Sequence, residues 1–155
     1  MFQDFETTAD PSKGPARLAA LRAEMAREDL AGFIVPRADA HQGEYVADAD
    51  KRLAWLTGFT GSAGFCIALA EEAGIFVDGR YRNQVRGQVD TGAFTPVNWP
   101  ETKPGDWLAE RLESGARVGF DAWLHTAGEI EKIEAALEGS GIDLVAADNL
   151  VDRIW

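Results

Sequence analysis

The sequence predicts an α/β fold of three layers, built on a mixed, mainly parallel sheet of about six strands with one β-hairpin. Three observations lead there. Short apolar runs alternate along the chain with stretches of helical period, the order that gives parallel strands covered by helices on both faces. The connection at residues 71–74 between two apolar runs is too short for a crossover, so that pair must be an antiparallel hairpin. At 155 residues and 46% hydrophobic content, the chain suits a single domain with a buried core.

Residues 1–12 are polar and irregular and read as a flexible lead-in, leaving one domain over 13–155. A first helix starts near Pro15, with Leu18, Leu21 and Met25 as its apolar stripe and Arg17, Arg22, Glu24 and Arg27 toward water. Gly32 follows its end. Phe33, Ile34 and Val35, cut off by Pro36, have the all-apolar character of a strand buried on both faces. Residues 37–49 have no period. Beyond residue 90, a strand over 93–99 belongs at a sheet edge, because Pro96 cannot donate a ladder bond. A helix with Pro104 and Asp106 in its first turn carries Trp107, Leu108 and Leu112 up to Gly115. A short strand over 117–121 follows. Thr126 and Glu129 have capping-box spacing, and Ile130, Ile133 and Leu137 continue the helix to Gly139. Ile142, Leu144 and Val145 form the last strand, before an apolar end at Trp155.

The stretch over 50–82 organises the rest. Asp50 is placed to cap a short helix over 51–56, which Gly58 stops through a left-handed exit. Phe65, Ile67 and Leu69 alternate as a strand, and Ile75, Phe76 and Val77 return beside it. Asp78 then caps a helix from Gly79, whose Tyr81, Val85 and Val89 share a face.

The net charge of −11 and a pI near 4.5 oppose binding to nucleic acid or to an acidic membrane surface. No apolar run approaches a membrane span, and the first ten residues lack the regions of a secretory signal, so a cytoplasmic setting is expected. Cys66, the single cysteine, sits inside an apolar strand and reads as a small buried hydrophobe. Chemistry is sparse. His41 and His125 are far apart and lie outside any HExxH or paired-cysteine context, so no metal site is expected. Ser62 misses the first glycine of a nucleophile elbow, and Gly58, Gly61 and Gly64 match neither the dinucleotide fingerprint nor a P-loop. No residue of the chain is assigned a catalytic role.

Four separated motifs, in order, nevertheless carry a specific resemblance: ADAHQGEYVA at 38–47, GFTGSAG at 58–64, VDGRYR at 77–82 and NLVDRIW at 149–155. Together they resemble the creatinase-like N-terminal domain of Xaa-Pro aminopeptidases (aminopeptidase P), a metallopeptidase family. Thr60 and Gly43 depart from that pattern, standing where it has an acidic residue and a serine. The resemblance implies a mixed-sheet domain without catalytic groups of its own. It implies a parent enzyme that removes an N-terminal residue preceding proline, in which a C-terminal domain absent from this chain holds two divalent metals, manganese or zinc. The implied partners are that catalytic domain, the parent's peptide substrate and further copies of the parent in a homo-oligomer. A freestanding binding or assembly module of the same fold, with no peptidase activity, is the alternative.

The resemblance also directs attention to the loops at 58–64 and 77–81 as borders of the substrate entrance or of a subunit contact. Phe59, Ser62, Arg80 and Tyr81 are the candidates there, with His41, Tyr45 and Arg52 from the preceding segments. Their structural alternatives stay open at this stage. Arg80 in a first helical turn opposes the helix dipole and calls for a carboxylate partner, in this fold or on a substrate. Phe59 is a core plug or an exposed aromatic contact, and Tyr81 suits the core. Among five tryptophans, Trp155 is the one expected to be exposed.

Overall fold

The computed structural model describes residues 10–155. Of the expected lead-in, residues 1–9 lie outside the described residues, and Pro11–Lys13 form a 3-10 turn capped by Asp10. Helix α1 is Gly14–Arg27, followed by strand β1 at Gly32–Pro36 and helix α2 at Arg52–Thr57. The hairpin β2 (Phe65–Leu69) and β3 (Ala73–Val77) leads to α3 (Arg82–Gln88) and β4 (Thr95–Asn98). Then come α4 (Pro104–Arg111), β5 (Arg117–Phe120), α5 (Ala127–Leu137), β6 (Asp143–Ala146) and α6 (Leu150–Ile154).

The sheet order is β4-β3-β2-β1-β5-β6. Strand β2 pairs antiparallel with both β1 and β3, while β1–β5, β5–β6 and β3–β4 are parallel, so β2 alone runs against the other five. Period-two alternation divides the strand residues between two cores. Phe33, Val35, Cys66, Ala68, Ile75 and Val77 face the layer of α1, α2, α3 and α6. Ile34, Ile67, Leu69, Phe76 and Val118 face α4 and α5 on the other side. This double burial is why the central strands read as unbroken apolar runs. Pro96 sits on the edge strand β4, as its missing donor requires.

Several local expectations are corrected. Asp50 does not cap α2. It belongs to a 3-10 turn, Asp48–Asp50, and lies 3.4 Å from the Arg52 guanidinium. Gly58 does end that helix, with φ +89°. Asp78 caps a 3-10 turn, Gly79–Tyr81, before α3 proper begins. Helix α4 ends at Arg111, ahead of Gly115. Glu24, expected on the water face of α1, is 9% exposed, because α6 returns across it and brings Arg153 to 3.5 Å. Arg17 and Arg22 are also drawn inward: they donate to the carbonyl oxygens of Trp55 at 2.5 Å and Leu69 at 2.7 Å.

The capping box of α5 is made on one side only. Thr126 Oγ1 accepts from the Glu129 amide at 3.2 Å, but the Glu129 carboxylate turns to His125 Nδ1 at 3.3 Å. Thr126→Ala is therefore expected to cost about 1 kcal/mol, seen as a lower urea midpoint at unchanged slope. An unmoved midpoint would mean that this cap contributes nothing.

Candidate functional site

The motif loops converge at the carboxyl edge of the sheet, where β3 ends and β2 begins. Thr57, fully buried at the end of α2, starts the loop: its hydroxyl donates to the Leu53 carbonyl at 2.7 Å and accepts from the Phe59 amide at 3.1 Å. Phe59 is thereby turned inward. It is 1% exposed and meets the Tyr81 ring edge-on, with centroids 5.6 Å apart. Gly61 and Gly64 close over its ring, and a Cβ at Gly64 would stand 3.0 Å from Phe59 Cε1. The loop is tied further by a reciprocal amide pair. The Thr60 amide donates to Gln88 Oε1 at 3.0 Å, and Gln88 Nε2 donates to Thr60 Oγ1 at 2.8 Å.

Ser62 and Tyr81 meet across the two loops. The Ser62 amide donates to the Tyr81 hydroxyl at 3.1 Å, and the two hydroxyls are hydrogen-bonded to each other. That hydroxyl contact holds the Tyr81 phenol below its ordinary pKa. Arg80 finds its carboxylate two residues upstream: its Nε and terminal nitrogen approach the two oxygens of Asp78 at 3.2 and 2.9 Å. The same guanidinium lies 5.1 Å from the Tyr81 ring centroid. Hydrogen bonding from Arg80 keeps the Asp78 carboxyl below the usual range while that carboxylate also caps the Arg80 amide at 2.9 Å. The result is an exposed, fixed cation beside a tyrosine and a serine. It can hold a carboxylate or hydrogen-bond a peptide.

Four of the seven candidates, Phe59, Ser62, Arg80 and Tyr81, are thus brought together. The other three are not. Arg52, with a side chain only 12% exposed, forms a bidentate pair with Asp152 at 2.7 and 3.2 Å and joins α2 to α6. His41 and Tyr45 stay within the 37–50 segment, where Asp39 accepts from the His41 and Gly43 amides at 2.9 and 3.0 Å and Tyr45 is 85% exposed. Trp155 is 48% exposed and stacks on Trp55, but Trp123, which the sequence did not single out, is more exposed at 78%. Cys66 is fully buried, and burial pushes its thiol up to about 12.

Among the described residues no three His, Cys, Asp or Glu side chains converge to hold a metal, so these residues offer no fit for the divalent ions implied for the parent. No described helix is long and apolar enough to cross a membrane.

Against this geometry, residues 17–154 match the Creatinase/Prolidase N-terminal domain family. The chain belongs to that family. It is 39% identical over 139 residues to the human Xaa-Pro aminopeptidase 2, covering 89% of this chain and 21% of the human one. Its fold superposes on the X-prolyl aminopeptidase of Caenorhabditis elegans, a cytosolic enzyme with a di-nuclear active site, with a TM-score of 0.83 and 33% identity. That match spans 90% of this chain and 25% of the nematode chain. The N-terminal domain of the cytoplasmic peptidase PepQ from Mycobacterium tuberculosis H37Rv aligns over 91% of this chain and 99% of its own, with a TM-score of 0.69 and 26% identity. The creatinase-like domain therefore spans about a fifth of the human relative. It corresponds to the N-terminal domain of Xaa-Pro aminopeptidase-like proteins.

Proposed function

We propose that this domain is the non-catalytic N-terminal part of an Xaa-Pro aminopeptidase, and that its 58–64 loop and 77–81 segment border the substrate entrance or a contact with a second subunit. In this reading the parent hydrolyses the bond between an N-terminal residue and proline, in a cytoplasmic setting, with divalent metals held wholly by a C-terminal domain. The observation that carries it is the fixed Arg80 guanidinium. Asp78 orients it from one side and the Tyr81 ring lies beside it, yet its side chain is 66% exposed and open to a further anion. A cation placed in this way recognises a carboxylate of a peptide or of a neighbouring subunit without first having to be ordered.

The test is made in the full-length parent. Arg80→Ala is expected to lower kcat/KM on Xaa-Pro peptides about tenfold, equivalent to about 1.4 kcal/mol, with thermal midpoint and metal content unchanged. Arg86→Ala, an exposed arginine on α3 without a polar contact among the described residues, is the control. Equal kinetics for wild type and both variants would refute the entrance role. A parent that fails to cleave Xaa-Pro peptides at all would refute the peptidase reading itself.

A further inference from the structure

A second concave site lies on the same edge of the sheet; it shares Gly64 with the 58–64 loop, and Ala38 and Gln42 of the 38–47 motif line it too. It is a crevice of about 650 Å³ between the end of β1 and the loop after it, the start of β2, the residue after β4, the turn at Leu124 and His125 that follows β5, and helices α4 and α5. Its position follows from topology. From β1 the chain proceeds to one side, through β2, β3 and β4, and then returns to add β5 on the other side. Strand order therefore reverses between β1 and β5, and the crevice outside the carboxyl ends at such a reversal is where open α/β sheets bind small molecules. Its volume is that of a small-molecule site.

The lining divides into an apolar body and a polar rim. Ile34, Phe65, Trp99, Leu124 and Ile133 supply the first. Of the chain's four lysines, Lys13 and Lys51 pair with Asp10 and Asp48, whereas the Lys103 and Lys132 side chains make no ion pair or hydrogen bond among the described residues, and both residues line this crevice. Lys103 stands at the N-cap of α4 without capping it, and Pro104 has no N–H, so the Gly105 and Asp106 amides are the open donors of that turn. Both residues line the crevice too. Arg37 adds a third cation, engaged with the Glu44 carbonyl at 3.2 Å, and the opposing carboxylates are those of Asp106 and Glu129. Glu129 is occupied by His125.

His125 supplies an independent observation. Its side chain is 6% exposed, it lines the crevice, and its Nε2 has no partner. Burial holds the imidazole below its ordinary pKa, so near neutral pH the ring is uncharged. With Nδ1–H given to Glu129, Nε2 is an acceptor in need of a donor.

We propose that this crevice binds the C-terminal residue of a short peptide: its carboxylate between Lys103, Lys132 and the open turn of α4, its side chain on the Phe65–Trp99 floor, its amide N–H toward His125. A peptide end carries in one residue an anion for the lysines and free amides, an apolar group for the aromatic floor and a donor for His125, and capture of a terminal carboxylate by free amides and cations is a recurring recognition mode. The site is a property of this chain and stands or falls separately from the peptidase reading.

The probe is N-acetyl-leucine, titrated into the 155-residue chain and followed by amide and histidine-ring NMR shifts. Saturable shifts at Lys103, Gly105, Asp106 and the His125 ring are expected. N-acetyl-leucine amide, without the carboxylate, should bind at least tenfold more weakly, and 4-methylpentanoate, without the N–H, should bind more weakly than the probe. Lys103→Gln with Lys132→Gln should reduce affinity at least tenfold, the same spectra reporting that the fold is intact. If that pair perturbs the fold, each single substitution should still weaken binding severalfold. Absence of saturable shifts up to the solubility limit, equal shifts from the amide analogue, or full affinity in the folded lysine variants would overturn the proposal.

Discussion

Phe59→Ala is expected to destabilise the domain by about 3–5 kcal/mol, the usual cost of removing a buried aromatic ring. The ring is 1% exposed, and the motif loop is folded around it. Thr57 fixes the Phe59 amide, Gly61 lies so close that a Cβ there would collide with the ring, a Cβ at Gly64 would stand 3.0 Å from it, and the Tyr81 ring meets it edge-on. Truncation leaves a cavity beneath the Ser62–Tyr81 contact, so the loop that presents these two hydroxyls should loosen along with the core. Urea unfolding of the isolated chain measures the loss, and Phe59→Leu, which keeps most of the volume, should cost clearly less. A loss for Phe59→Ala below about 1 kcal/mol would mean that the loop closes over the void and that the ring is not its support. Any effect of this substitution on a parent enzyme then has to be read against the fraction folded.

The same loop indicates how far the sequence could be read. Strand identity was legible because alternate residues of β1, β2 and β3 enter two different cores, which leaves no polar position in any of them. Gly58 was legible too, since a left-handed exit is a local demand. Pairings across the chain were not. Arg80 clearly called for a carboxylate and Asp78 clearly suited a cap, but one side chain meeting both needs depends on the 3-10 geometry of Gly79–Tyr81. Glu24 sits where a helical wheel puts water, and only the return of α6, more than 100 residues later, covers it with Arg153. Arg52 likewise finds Asp152 through the packing of α2 against α6. The crevice is the extreme case. Its lining comes from the end of β1 and the loop after it, the start of β2, Trp99 after β4, the turn at Leu124 and His125, and helices α4 and α5, segments well separated in the chain, so no local pattern could announce it.

Gly58→Ala should have an effect comparable to that of many core truncations, about 3 kcal/mol, although it adds a single methyl group. Two penalties combine. A non-glycine residue at φ +89° carries a strain of about 1–2 kcal/mol. The added Cβ would also collide with the backbone carbonyl oxygen of Gln88, and overpacking of that kind costs about 1–3 kcal/mol. The carbonyl cannot withdraw freely, because the Gln88 side chain holds Thr60 by two hydrogen bonds and Val89 just beyond is 4% exposed. Gly139→Ala separates the two penalties: its φ of +80° gives the strain alone, with nothing within 4 Å of the new Cβ. The expected order in urea midpoint is wild type, then Gly139→Ala, then Gly58→Ala, with the second gap at least as wide as the first. If the two variants unfold together, the end of α3 gives way to the methyl group, and the 58–64 loop is not anchored on Gln88.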